Sequence, residues 1–272
     1  MSDGGETDSL PHARDRVEDW TQAWREHGGI VVLLDFDGTL APIVERPNGA
    51  AMPESTRESV QRLIEQPGAY VAIVSGRGLA DARERAGLPG IAYAGNHGME
   101  IHGAGLDRIH PDAVAARPRL ERVITELSDS LSSVPGAIVE DKGLTLSVHY
   151  RLVVRALVDR VRKQVTEAVA GEDGLRVTEG KEVLEIRPDV DWHKGRAVDF
   201  LLESLRPKPG TPILYIGDDR TDEDAFEALR EWGGEGVIVA ERLPARTAAR
   251  AFVETTEEVA QLIDLLVTRA PR

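Results

Sequence analysis

Cysteine is absent from the 272-residue chain, which excludes disulfides, thiolate metal sites and a cysteine nucleophile. Any metal must therefore be held by oxygen or imidazole ligands. Aromatic residues make up only 4% of the sequence, too few for a surface that stacks on nucleobases. Basic residues are outnumbered, 33 Lys and Arg against 47 Asp and Glu, giving a formal net charge of -14. Such a surface repels nucleic acid and anionic membranes. The apolar runs are far shorter than the roughly 20 residues that span a bilayer. Residues 1–6 are polar and acidic, without the apolar stretch of a secretory signal. These absences lead us to expect a cytoplasmic protein that meets neither nucleic acid nor membrane.

The remaining composition, 41% hydrophobic and 29% charged, is that of an ordinary globular protein. Its length suits one large domain or two smaller ones. The first dozen residues read as a loose tail, followed by a short amphipathic helix carrying Val17, Trp20 and Trp24. Residues 30–34 form a continuous apolar run, the pattern of a strand buried on both faces. Helices over 54–65 and from Leu79 alternate with strands over 69–74 and 91–94, which argues for a parallel sheet. The pattern then changes to helix, two strands, helix, two strands, with an apolar-polar alternation through residues 144–151. Alternating strands and helices return over 213–267. The expected fold class is therefore α/β, with a Rossmann-like parallel-sheet core interrupted by an inserted α+β cap domain. We place the tail and helix at 1–28, the core at 29–105 and 189–272, and the cap at 106–188.

The densest chemical signal, Asp35-Phe36-Asp37-Gly38-Thr39, directly follows the first buried strand. Ligands of open parallel sheets bind beyond the carboxyl ends of the strands. A carboxylate there can attack phosphorus, and its neighbour can protonate a leaving alcohol and later deprotonate water. The second strand ends in Ser75-Gly76-Arg77, a hydroxyl and a backbone N–H suited to phosphate oxygens. Arg77 either binds substrate or pairs with a nearby carboxylate. Lys194 precedes a helix, where an ammonium can neutralise phosphate charge. A later strand ends in Gly217-Asp218-Asp219, with Asp222 close behind. Like charges about 4 Å apart cost roughly 4 kcal/mol per pair at an effective dielectric of about 20. A bound cation makes such an arrangement tolerable, and Mg2+ suits a few carboxylates, water and a phosphate oxygen. Its expected ligands are Asp35, the backbone carbonyl of Asp37, and Asp218, with Asp219 and Asp222 as direct or supporting groups.

These four segments resemble, in order, the motifs of the haloacid dehalogenase superfamily. That resemblance implies a Rossmann-like core, Mg2+, Asp35 as nucleophile, Asp37 as general acid and base, and Ser75 and Lys194 on the phosphoryl group. Gly38, Thr39 and Gly76 belong to the same phosphate-facing stretches. More narrowly, Gly95-Asn96-His97-Gly98, residues 140–143, His149-Tyr150-Arg151 and residues 217–224 are similar to those of trehalose-6-phosphate phosphatases. That likeness implies a sugar-phosphate substrate, trehalose 6-phosphate, and suggests a trehalose-phosphate synthase as partner; the protein itself is expected to be a monomer or small homo-oligomer.

Strand parity gives the insert a role of its own. With apolar residues turned to the helices, Thr145, Ser147, His149, Arg151, Lys181, Glu185 and Arg187 share the open face, and Glu182 has the opposite parity. Carboxylates, amines and an imidazole suit a polyhydroxylated ligand. The resemblance points to Glu140, Lys142 and a glutamate of residues 181–187 as sugar contacts, and parity favours Glu185 over Glu182. Asn96 is expected to contact substrate, and His97 either contacts substrate or caps its loop. The alternatives to a trehalose 6-phosphate phosphatase are a phosphatase for a sucrose- or mannosylglycerate-type ester and a non-catalytic sugar-phosphate sensor.

Overall fold

A computed structural model describes residues 10–46 and 49–271. It divides into two compact units. One comprises the described residues up to Asp107 together with those from Trp192 onward, and the other is Arg108–Asp191. Among the described residues no helix is long and apolar enough to cross a membrane.

The first unit is built on β1 (Ile30–Leu34), whose five residues are all buried, as its unbroken apolar run requires. β2 (Ala69–Val74) and β3 (Ala92–Gly95) lie on one side, in parallel. β10 (Ile213–Gly217), β11 (Glu235–Val239) and β12 (Ala251–Val253) lie on the other, also in parallel. The chain thus leaves β1 in both directions, and the reversal between β1 and β10 is a topological switch point where ligands bind beyond the strand ends. The far edge is β4 (Glu100–Gly103), antiparallel to β3, and then β5 (Leu106–Ile109). The sheet order is β12-β11-β10-β1-β2-β3-β4-β5. The sheet is therefore mixed rather than purely parallel. The strands β4, β5 and β12 are each four residues or fewer, too short for a legible period.

Two apolar clusters cover the faces of this sheet. One includes Trp20, Trp24 and Leu63 from α1 (Val17–His27) and α2 (Glu54–Ile64), and Leu262 and Leu266 from α8 (Thr256–Thr268). The other joins Val198 and Leu202 of α6 (Lys194–Leu205) to Phe226 and Leu229 of α7 (Arg220–Glu231). The N-terminal helix packs on the core, with Trp20 Nε1 donating to Glu235 and Trp24 Nε1 to the Pro67 carbonyl. The loose tail expected for the first dozen residues is corrected at its end. Leu10 packs against the core, and the Pro11 carbonyl accepts from Phe252 N–H. Residues 1–9 lie outside the described residues.

The second unit packs α4 (Pro111–Leu131) and α5 (Arg155–Ala170) over an antiparallel sheet. Its strands are β6 (Ile138–Asp141), β7 (Leu146–His149), β8 (Leu175–Gly180) and β9 (Val183–Pro188), in the order β6-β7-β9-β8. Leu146, Val148, Leu184 and Ile186 join the helices in one apolar cluster. Glu140, Ser147, Glu185 and Thr178 are cross-strand neighbours and form one row on the opposite face.

Candidate active site

Asp35 stands where β1 ends, its N–H donating to the Ile216 carbonyl of β10, so the nucleophile candidate bridges the two strands of the switch point. The adjoining loop closes on itself: Leu40 and Ala41 N–H both donate to the Phe36 carbonyl, and Gly38 N–H donates to Ala41. Gly38 takes a φ of +80°, and a Cβ there would lie 2.3 Å from the Asp218 carboxylate. Only glycine fits, both for its backbone and for the space. Thr39 is fully buried, and its hydroxyl finds no hydrogen-bond partner among the described residues. Such an orphan donor suits an absent oxyanion.

Carboxylate oxygens of Asp35, Asp218 and Asp222 come within 4.8 Å of one another. At that spacing each ionised pair repels by roughly 3–4 kcal/mol at an effective dielectric of about 20. Lys194, 3% exposed at the first turn of α6, places Nζ 2.8 Å from Asp35 Oδ1 and 2.7 Å from Asp222 Oδ1. Burial works against its charge, yet Asp222 and Asp35 outweigh that and hold the Lys194 pKa well above its ordinary value. Burial pushes the Asp35 carboxyl well up, and the charges of Asp222 and Asp218 add to the effect against the pull of Lys194. Three carboxylates around one ammonium leave an excess of negative charge, which a divalent cation would neutralise. The donor set and the cleared space beside Gly38 fit such an ion.

The structure separates the three acids near β10. Asp222 is fully buried and accepts on every side: Lys194 Nζ and the Tyr215 hydroxyl at Oδ1, and the N–H groups of Asp218 and Asp219 at Oδ2. Its oxygens are spent on support, so Asp222 orients Lys194 rather than reaching outward. Asp219, expected as a direct or supporting group, caps a helix: its side chain accepts from Arg220 N–H and closes a reciprocal cap on α7 with Asp222. It lies outside the acidic cluster. Asp35 and Asp218 are the other two carboxylates of the cluster, Asp218 lying against Gly38.

Ser75 is 1% exposed at the end of β2 and accepts from Arg77 N–H. Asn96 N–H donates to the Arg77 carbonyl and His97 N–H to the Ser75 carbonyl, tying the β2 and β3 ends together. Asn96 and His97 both have positive φ, 49° and 57°, a strained choice for residues other than glycine. Asn96 is fully buried and donates its amide to Glu100. The His97 ring lies over Gly76, where a Cβ would come within 2.8 Å of it. Gly98 lets this loop approach α6, since its Cβ would lie 2.2 Å from Ala197. The open alternative for Arg77 resolves toward a carboxylate: Nε and an Nη each donate to Asp37 at 2.7 Å.

The second unit carries the other expected residues on the polar face of its sheet. His149 Nε2 lies 2.7 Å from Glu140 Oε2, and Lys142 Nζ lies 3.5 Å from Glu185 Oε1. Arg151 turns instead to Glu182, at 2.9 Å, in the β8–β9 turn. Register thus sets Glu185 beside Ser147 in the row of Glu140, and Glu182 outside it. Arg117 donates to both oxygens of Asp141 and to the Gly143 carbonyl, fixing the turn that bears Lys142. Sequence reasoning missed Tyr215, Asp81 and Arg117. A lone tyrosine within the apolar β10 run was the available signal for the first.

A groove of about 730 Å³ at the opposite ends of β3 and β4, lined by Arg83, Tyr93 and His102, contains none of the expected site residues.

A family model described as trehalose-phosphatase matches residues 33–255. A trehalose-phosphate phosphatase of Mycobacterium marinum is 40% identical over 245 residues, 88% of this chain and 61% of that protein. The probable trehalose-phosphate phosphatase D of Arabidopsis thaliana is 40% identical over 250 residues, covering 88% and 67%. Among solved structures, the C-terminal domain of C. albicans trehalose-6-phosphate phosphatase aligns with a TM-score of 0.78 at 25% identity, over 96% of this chain and 98% of that one. A haloacid dehalogenase-like hydrolase from Bacteroides thetaiotaomicron shares the fold, with a TM-score of 0.61 at 18% identity, over 87% and 98%. The chain spans about three fifths of the length of the first curated relatives it matches.

Proposed function

The chain belongs to the trehalose-phosphatase family, and from that premise we propose that it hydrolyses trehalose 6-phosphate to trehalose and inorganic phosphate, with Mg2+ as cofactor. The observation that carries the reading is the buried acidic group around Lys194 at the switch point of the sheet. Asp35 attacks the phosphoryl group: a bond forms between its carboxylate oxygen and phosphorus while the bond from phosphorus to the sugar oxygen breaks. Asp37 gives its proton to the departing sugar oxygen. It then takes one from the water that hydrolyses the phospho-aspartate, which restores both residues. Ser75 and Thr39 donate to phosphoryl oxygens, and Lys194 offsets their charge. Asp35, Asp218 and the Asp37 carbonyl would hold Mg2+, which when bound neutralises charge on the phosphoryl oxygens.

Selectivity for the sugar we assign to Glu140, Lys142, His149 and Glu185 of the inserted unit, whose alternating carboxylate and cationic groups suit hydroxyls. The names of the relatives support the disaccharide ester as substrate. The test is release of inorganic phosphate from a panel of sugar phosphates, with Mg2+ and with a chelator. Trehalose 6-phosphate is expected to rank first by kcat/KM, chelation to stop turnover, and Asp35→Asn to abolish it in a folded protein. A sucrose- or mannosylglycerate-type ester ranking first would overturn the substrate. Near-normal turnover by Asp35→Asn would overturn the mechanism. Absence of turnover on every ester would leave a sensor.

A further inference from the structure

We propose that Tyr215 is a positioning residue for the nucleophile, acting through Asp222 and Lys194; this rests on the phosphatase reading above. Tyr215 is fully buried in the middle of β10, where Ile213, Leu214 and Ile216 are apolar. A phenol hydroxyl in such a strand needs a partner. It donates to Asp222 Oδ1 at 2.7 Å, the oxygen that also accepts from Lys194 Nζ at 2.7 Å. The N–H groups of Asp218 and Asp219 hold the other oxygen, at 3.1 and 2.9 Å. Asp222 is thereby fixed from four directions, and Lys194 is set 2.8 Å from Asp35.

The ring has its own support. Phe226 of α7 meets it edge-on at 5.8 Å and 80°. Gly236, the cross-strand neighbour of Tyr215 on β11, makes room for Phe226, since a Cβ there would lie 2.4 Å from the Phe226 ring. A strand, a helix and a glycine thus converge on aiming one hydroxyl. Without that hydroxyl Asp222 Oδ1 keeps only Lys194, and the ammonium is drawn toward Asp222 and off the nucleophile. The loss falls on the chemical step rather than on substrate binding.

The experiment compares steady-state phosphate release from trehalose 6-phosphate with Mg2+ for the wild type, Tyr215→Phe and Leu214→Val. The last trims the opposite face of the same strand and touches no polar atom. Tyr215→Phe is expected to lose about tenfold in kcat, with KM within about twofold, the loss of one hydrogen bond to a charged group. Leu214→Val is expected to lower Tm and leave kcat unchanged. Tyr215→Phe with kcat within about twofold of an active wild type overturns the positioning role and leaves the phosphatase reading standing. A wild type inert on every sugar phosphate overturns both. Should Tyr215→Phe fail to fold, Gly236→Ala drives Phe226 against the tyrosine and is expected to lower kcat with KM held; unchanged kcat there overturns the proposal.

Discussion

The Arg77 guanidinium clasps the Asp37 carboxylate through two hydrogen bonds of 2.7 Å each. It also lies over the Phe36 ring, 5.6 Å from its centroid, and donates to Asp81 at 2.7 Å. Asp81 in turn accepts from Arg85, which donates to the Ala50 carbonyl. The candidate proton carrier is thus held by a chain of ion pairs rooted in α3 (Leu79–Ala86). Lysine keeps the charge but cannot reproduce the planar fork. Arg77→Lys is expected to lower kcat by roughly 10–100-fold, the cost of a small misplacement of a reacting group, and Arg77→Met to lower it further. Steady-state kinetics check this, and equal kcat for all three proteins would refute it.

Binding a divalent cation to the folded state alone raises stability by about 2.7 kcal/mol at 100 times Kd. Thermal unfolding with and without Mg2+ is expected to show a higher Tm for the wild type. Asp218→Asn is expected to lose that gain, whereas Asp219→Ala keeps it and lowers the baseline by about 1 kcal/mol through the lost helix cap. Equal responses from the two variants would contradict the separation of their roles.

Gly38 is the floor of the same site. Gly38→Ala adds a methyl group 2.3 Å from Asp218 at a φ of +80°, so either the loop or Asp218 must move. The expectation is a loss of the Mg2+-induced rise in Tm together with a destabilisation of about 1 kcal/mol or more. Calorimetric titration with Mg2+ checks it, and wild-type affinity in this variant would refute it.

Asp141 is held below the usual carboxylate range, chiefly by its hydrogen bonds from Arg117. A depressed folded pKa adds stability that is present above the unfolded value of about 3.9 and lost as pH falls through the folded one. Asp141 is 39% exposed, so solvent screens much of the effect. Between about pH 5 and pH 3, Tm is therefore expected to fall more steeply for the wild type than for Arg117→Met. Parallel curves would show that the pair carries no net stability.

Much of this architecture was legible because it is written in contiguous residues. The unbroken apolar run of Ile30–Leu34 must be buried on both faces, and the next residue, Asp35, must emerge at the carboxyl edge of a parallel sheet. The same reasoning places Ser75 and Asp218 at their own strand ends. Parity did the same for Glu140 and Glu185, because a strand allots its side chains to two faces by counting.

The division of labour among neighbouring groups needed the folded chain. Asp218, Asp219 and Asp222 lie within one turn of sequence, and spacing alone allows each to face the site. The cap at the start of α7 decides among them: it turns Asp222 inward onto Lys194 and Tyr215, consumes Asp219 at the helix end, and leaves Asp218 beside Gly38. Likewise nothing in Ser75-Gly76-Arg77 says that the guanidinium folds back on Asp37, a residue 40 positions earlier. Local patterns determine which groups reach the rim of the sheet, since burial and pleat act residue by residue. Which partner each group takes there depends on distances between segments remote in sequence, and only tertiary packing sets those.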